Sequence, residues 1–146
     1  METGGISVRP ARDGDRRAFA MLLAAVAAER DGIAAEPPID IGELAENWKI
    51  DGTLVAEADG VLVGEVRVEP SWMGFGELGV MVAARRRGRG AGTALVAAAI
   101  GLARGRGLHK LALSVLPHNQ AAIALYVYCT PTIREERLCG PACGRR

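Results

Sequence analysis

The stretch that most constrains this chain runs from Leu78 to Thr93, LGVMVAARRRGRGAGT. An apolar run of strand character passes into a turn of arginines and glycines, and small apolar residues from Ala94 onward open a helix. Gly88, Gly90 and Gly92 remove the Cβ atoms that would hold a ligand away from the backbone, so successive N–H groups can face one concavity. The helix start adds its unpaired N–H groups and the positive end of its dipole, and Arg85, Arg86, Arg87 and Arg89 add charge. A strand, turn and helix of this composition suit an anion, and phosphate above all.

Spacing narrows the choice of anion. No Gly-Lys-Ser/Thr ends the turn, and Gly88-Arg89-Gly90-Ala91-Gly92 is not G-x-G-x-x-G, so ATP and NAD both lose ground. Arginine runs also occur in nucleic-acid patches. Here the formal net charge of the whole chain is only +1, so the cluster is local, which argues against nucleic acid or an anionic membrane as the partner. A chain of 146 residues, 49% hydrophobic and 24% charged, is the size and composition of one globular domain, taken as 1–146.

Taken in order, Ile6 to Arg9 alternates as a strand stopped by Pro10, and Asp13 or Asp15 caps a helix to about Arg30 that buries Phe19, Leu22, Leu23 and Val26. This helix follows paired arginines and carries an apolar run, as a signal peptide does, but Asp13 and Asp15 contradict a positive leader. Gly32 and Pro37-Pro38 force a loop, and Ile41, Leu44, Ala45 and Trp48 mark a shorter helix; Glu29, Asp31, Glu36 and Asp40 around the bend suggest a substrate lid or a solvated acidic loop. Thr53 to Ala58 and Val61 to Glu69 form an antiparallel hairpin through Asp59-Gly60. Glu65, Arg67 and Glu69 share the polar side of its second strand, and Trp72, Met73 and Phe75 follow as candidates for a pocket wall or for core packing.

Phe75 to Val82 is the fourth strand, Gly92 to about Arg104 the next helix, and Lys110 to Leu116 a fifth strand that reads as buried on both faces. The crossover makes these two strands a parallel pair. Asn119 caps a last helix from Gln120 to about Tyr128. The fold class is therefore α/β of the α+β kind, a mixed and mostly antiparallel sheet flanked by helices, with its parallel pair at the fourth and fifth strands.

Two motifs in order, Arg87-x-x-Gly90-x-Gly92 and Asn119-x-x-Ala122-x-x-Leu125-Tyr126, with strand, helix and strand in place, resemble the GNAT superfamily of N-acetyltransferases. The likeness runs from the Val8-Arg9-Pro10 opening to Tyr126. It implies acetyl-CoA as co-substrate and transfer to a primary amine, of a small molecule or a protein, by direct attack in a ternary complex. It assigns the pyrophosphate to Arg87, Gly88, Arg89, Gly90, Ala91, Gly92 and Thr93, and the pantetheine arm to Met81 and Val82, with Asn119 and Tyr126 also on the cofactor side. A main-chain N–H between Val80 and Val82 would face the developing oxyanion.

An alkyl ammonium of pKa ~10 cannot attack until it loses a proton. Glu77, on the strand face of Phe75, Gly79 and Met81, is the base that the resemblance favours, with Glu65 second. Tyr126 stands where the family places the phenol that returns a proton to the leaving thiolate. A covalent route through Cys129 lacks a His-Asp partner at useful spacing.

The pattern departs after Tyr126. Thr130-Pro131 stands where Gly-Phe is usual, and Ile133 to Leu138 offers one closing strand where two are expected. The altered end motivates an alternative, a catalytically silent acyl-CoA-binding or regulatory domain, and it would expose an apolar edge that a second copy can cover, giving a homodimer. Cys129, Cys139 and Cys143 are odd in number and lack zinc spacing, which points to no metal and to a reducing cytoplasm.

Overall fold

The structure, a computed structural model, describes residues 2–3, 5–30, 33 and 35–129. Its strands are β1 (Glu2–Thr3), β2 (Ile6–Pro10), β3 (Thr53–Ala58), β4 (Val61–Pro70), β5 (Phe75–Val82) and β6 (Lys110–Leu113). Its helices are α1 (Arg16–Ala28), α2 (Ile41–Asn47), α3 (Ala91–Gly105) and α4 (Gln120–Cys129). Among the described residues the strands form one sheet in sequential order, antiparallel throughout except for β5 and β6, which run parallel. The expected parallel pair is thus present, one number later because β1 precedes the first expected strand.

The β3–β4 hairpin closes as its turn residues demand. Ala58 faces Val61 across a two-residue loop in which Asp59 (φ 52°) and Gly60 (φ 74°) are both left-handed. Alternation then sorts side chains onto two cores. Leu54, Ala56, Val66, Val68 and Leu78 meet Leu95, Val96 and Ala99 of α3 and Tyr126 of α4, while Val55 and Met81 meet Phe19, Leu22 and Val26 of α1. Trp48 seals the second core by stacking on Phe19 with centroids 4.3 Å apart and planes 8° apart, a contact worth about 1 kcal/mol beyond its buried area.

Three expectations are corrected. Asp15 sits at the N-cap of α1 but gives the helix no side-chain cap, because Arg9 holds its carboxylate through two 2.8 Å hydrogen bonds and the Arg12 N–H donates to it at 2.9 Å. β6 ends at Leu113 rather than Leu116 and is half-buried on one face only, since Leu111, Leu113 and Val115 reach the α3 side while Ala112 and Ser114 are exposed. The helix on the other side, α1, lies against β4 and β5. Finally, the side of β4 read as polar is roofed. Trp48 and Arg67 enclose Glu65, leaving it 6% exposed. The Ile133–Leu138 strand, Thr130-Pro131, Cys139 and Cys143 lie outside the described residues.

Arg9 also donates to Glu57 at 3.0 Å, so one guanidinium ties β2 to β3 and to the entry of α1. Its hydrogen bonds hold the Asp15 carboxyl below the usual carboxylate range. A depressed pKa contributes stability above the unfolded value, and that contribution fades as pH falls through the folded one. Asp15→Asn is therefore expected to cost about 2 kcal/mol at pH 7. By denaturant titration, that deficit should shrink as the pH is taken below the ordinary aspartate value.

Candidate active site

β5 and β6 pair over four rungs, from Phe75 with Lys110 to Leu78 with Leu113, and then part. Val80 to Val82 continue β5 with β4 alone, so the β6 side of β5 is open along the residues expected to meet pantetheine. Past Val82 a short 3-10 turn, Ala84–Arg86, leads into the glycine loop. Gly88 (φ 74°) and Gly90 (φ 92°) are left-handed there, a conformation that a side chain would strain.

The first helical hydrogen bond of α3 runs from the Ala94 N–H to the Gly90 carbonyl at 3.0 Å. Among the described residues the N–H groups of Gly88 through Thr93 meet no backbone acceptor. These are the unpaired donors that a helix start offers an anion. Gly92 has a different reason to be glycine, since a Cβ there would lie 2.9 Å from Leu125 Cδ2, so its small size seats α4 against α3.

The arginines divide. Arg86 pairs with Asp59 at 3.3 Å. Arg87 donates through Nε to the Val82 carbonyl at 3.0 Å and, as a fork, to both Glu29 oxygens at 2.6 and 2.9 Å. Arg85 and Arg89 are exposed and make no ion pair within the described residues.

On the α1 side of the sheet a cavity of about 320 Å³ is walled by Leu23, Ile33 and Ala35 above and by Glu65, Arg67, Glu69, Glu77, Gly79 and Met81 below. Glu77 is exposed within it, faces Glu69 across the β4–β5 ladder, and pairs with Ala112 on the last rung but one before the strands part. Glu65 lies opposite Met81, one strand away from the opening. Burial pushes its carboxyl above the usual range, against the pull of Arg67 and the Trp48 indole. Arg67 is a wall residue that its position on β4 made visible but whose role did not emerge until helices roofed that face. Trp72 and Met73, candidates for the wall, are instead 71% exposed beyond it; Phe75 contacts Trp72, His109 and Lys110.

From the α3 side, Asn119 caps α4, its Oδ1 accepting from the Ala122 N–H at 3.2 Å. That cap starts the helix which places Tyr126 in the core, where burial raises its pKa and keeps the phenol protonated near neutral pH. Burial raises the pKa of the Cys129 thiol, against the opposing pull of the Thr93 side chain. A thiol held protonated is a poor nucleophile, which disfavours a covalent route. No cluster of His, Cys, Asp or Glu among the described residues could hold a metal ion, and no helix there is long and apolar enough to cross a membrane.

A sequence model of the acetyltransferase (GNAT) family matches residues 21–129. The chain belongs to the GNAT family. Among solved structures, a ribosomal-protein-alanine N-acetyltransferase from Brucella melitensis is 31% identical with a TM-score of 0.73, over 84% of this chain and 82% of that one. A GNAT-family acetyltransferase from Streptococcus pneumoniae is 25% identical with a TM-score of 0.72, over 84% and 82%. A putative acetyltransferase from Salmonella typhimurium, solved with its cofactor acetyl-CoA, shares the fold at 22% identity and a TM-score of 0.75, over 85% and 78%. Curated proteins give no match.

The seat of α4 can be checked directly. Gly92→Val should lower stability by about 1–3 kcal/mol through overpacking against Leu125. In a double-mutant cycle with Leu125→Ala, measured by thermal unfolding, the two changes should couple by about 1 kcal/mol.

Proposed function

We propose that this GNAT protein transfers an acetyl group from acetyl-CoA to a primary amine, on a small molecule or a protein, by direct attack in a ternary complex. The observation that carries the reading is the alignment of one open strand edge with one row of unpaired amides. β5 loses β6 after Leu78, and the same chain segment ends in the donors of Gly88 to Thr93. A diphosphate fits those donors, with Arg85 and Arg89 adding charge, and an extended amide-bearing arm fits the freed edge of Val80 to Val82 as an added strand. Backbone groups alternate between the two edges of β5: Ala83 donates to Val63 on the β4 side, and Met81, paired with Glu65, faces that side too. Of the carbonyls on the freed edge, Val82 already accepts from Arg87, so Val80 is the better partner.

Acetyl-CoA supplies the activated acyl group, and the protein supplies position and proton management. Glu77 stands where the sheet opens and borders the cavity, so it can accept the ammonium proton of an amine entering from the α1 side. Glu65 is less suited, being shut in by Trp48 and Arg67. A main-chain N–H near Val80 would meet the oxygen that gains charge. Tyr126, kept protonated by burial, would donate its phenolic proton toward the leaving thiolate.

Purified protein offered acetyl-CoA and a panel of primary amines should release free thiol. Cofactor binding without thiol release for any amine would favour a silent acyl-CoA-binding domain instead. Glu77→Gln should lower kcat by about 10²–10⁴-fold while leaving coenzyme A affinity unchanged by calorimetry. Gly90→Val, which forces a branched side chain into a left-handed backbone, should abolish that affinity.

A further inference from the structure

The motif that resembles the family's pyrophosphate loop begins at Arg87, yet its guanidinium faces protein on two sides. One N–H holds the Val82 carbonyl at the end of β5, and the fork holds Glu29 at the C-cap of α1. A carboxylate at a helix C-terminus stands against the negative end of the dipole, so Glu29 is poorly placed unless a cation offsets it. Arg87 is that cation, and the bidentate geometry fixes direction as well as charge. Both side chains remain about a third or more exposed, 43% for Arg87 and 32% for Glu29, so the pair adds little to global stability. What it sets is position. It pins the first residue of the glycine loop to a helix that also carries Leu23, a wall of the cavity.

We infer that Glu29 is a positioning residue for cofactor binding, and that Arg87 acts with it as a strut that holds the glycine loop rather than as a ligand of the phosphates. The diphosphate is then met by the amides of Gly88 to Thr93 and by the guanidinium groups of Arg85 and Arg89. This rests on the acetyl-CoA reading above, and the two can fail separately.

The test is a thermodynamic cycle on coenzyme A affinity, by calorimetry, with Glu29→Gln, Arg87→Gln and the double variant. A strut predicts that each single change weakens binding by about fivefold and that the double variant is no weaker, because either change releases the same loop. Arg87→Lys should behave like Arg87→Gln, since an ammonium keeps the charge and loses the fork. The salt dependence of binding should stay as in the unmodified protein for Arg87→Gln and flatten for Arg89→Gln. Melting temperature should move by less than about 2 °C for Glu29→Gln, as for an exposed pair.

Unchanged or tighter binding by Glu29→Gln, with a large loss for Arg87→Gln and a flattened salt dependence, would make Arg87 a direct phosphate ligand and overturn the inference. So would additive effects, or a loss of folding on Glu29→Gln, which would make the pair a staple of the fold. Failure of the unmodified protein to bind coenzyme A would sink the acetyl-transfer reading itself.

Discussion

The parting of β5 from β6 after Leu78 is the constraint on which the rest of the site depends. A paired strand offers no backbone groups to a ligand, whereas a strand with one free edge offers them at regular intervals. The gap follows from the shortness of β6, which ends at Leu113 while β5 runs on to Val82. It also joins the two faces of the sheet. Tyr126 and the amides at the start of α3 lie on one side, and Glu77 with its acidic neighbours lies on the other.

Charge is handled differently at the two ends of the sheet. At the β2 end, Arg9 binds Asp15 and Glu57 in a partly buried cluster, where loss of Arg9 would take the shared cation from both carboxylates. At the loop end, Arg87 and Glu29 are half-exposed, so their pairing sets geometry at little cost in stability. Glu65 is the intermediate case. Its carboxyl is buried under Trp48 with Arg67 beside it, and Arg67 Nε is itself buried without a hydrogen-bond partner among the described residues.

Local rules made most of the scaffold legible. Asp59-Gly60 called for a two-residue hairpin because both positions need a left-handed backbone. The 3.6-residue spacing of Phe19, Leu22 and Val26 located the buried stripe of α1, and Asn119 located the start of α4. Less legible were contacts between distant segments. Period-two alternation put Glu65 and Arg67 on a common face of β4 but carried no information on whether a helix would cover it. The sequence showed no sign that Gly92, a glycine of the loop, also makes room for Leu125 of α4.

By itself, then, the order of residues determined the strand, glycine loop and helix, the family, and the set of groups able to bind phosphate or carry protons, because each follows from backbone preferences within a few residues. Tertiary structure alone decided which of those groups are free to act. It sent Arg87 to Glu29, left Arg85 and Arg89 without an ion pair among the described residues, closed Glu65 beneath Trp48 and left Glu77 at the mouth of the opening. The reason is that burial and ion pairing depend on what packs from far along the chain, a property no short window of sequence contains.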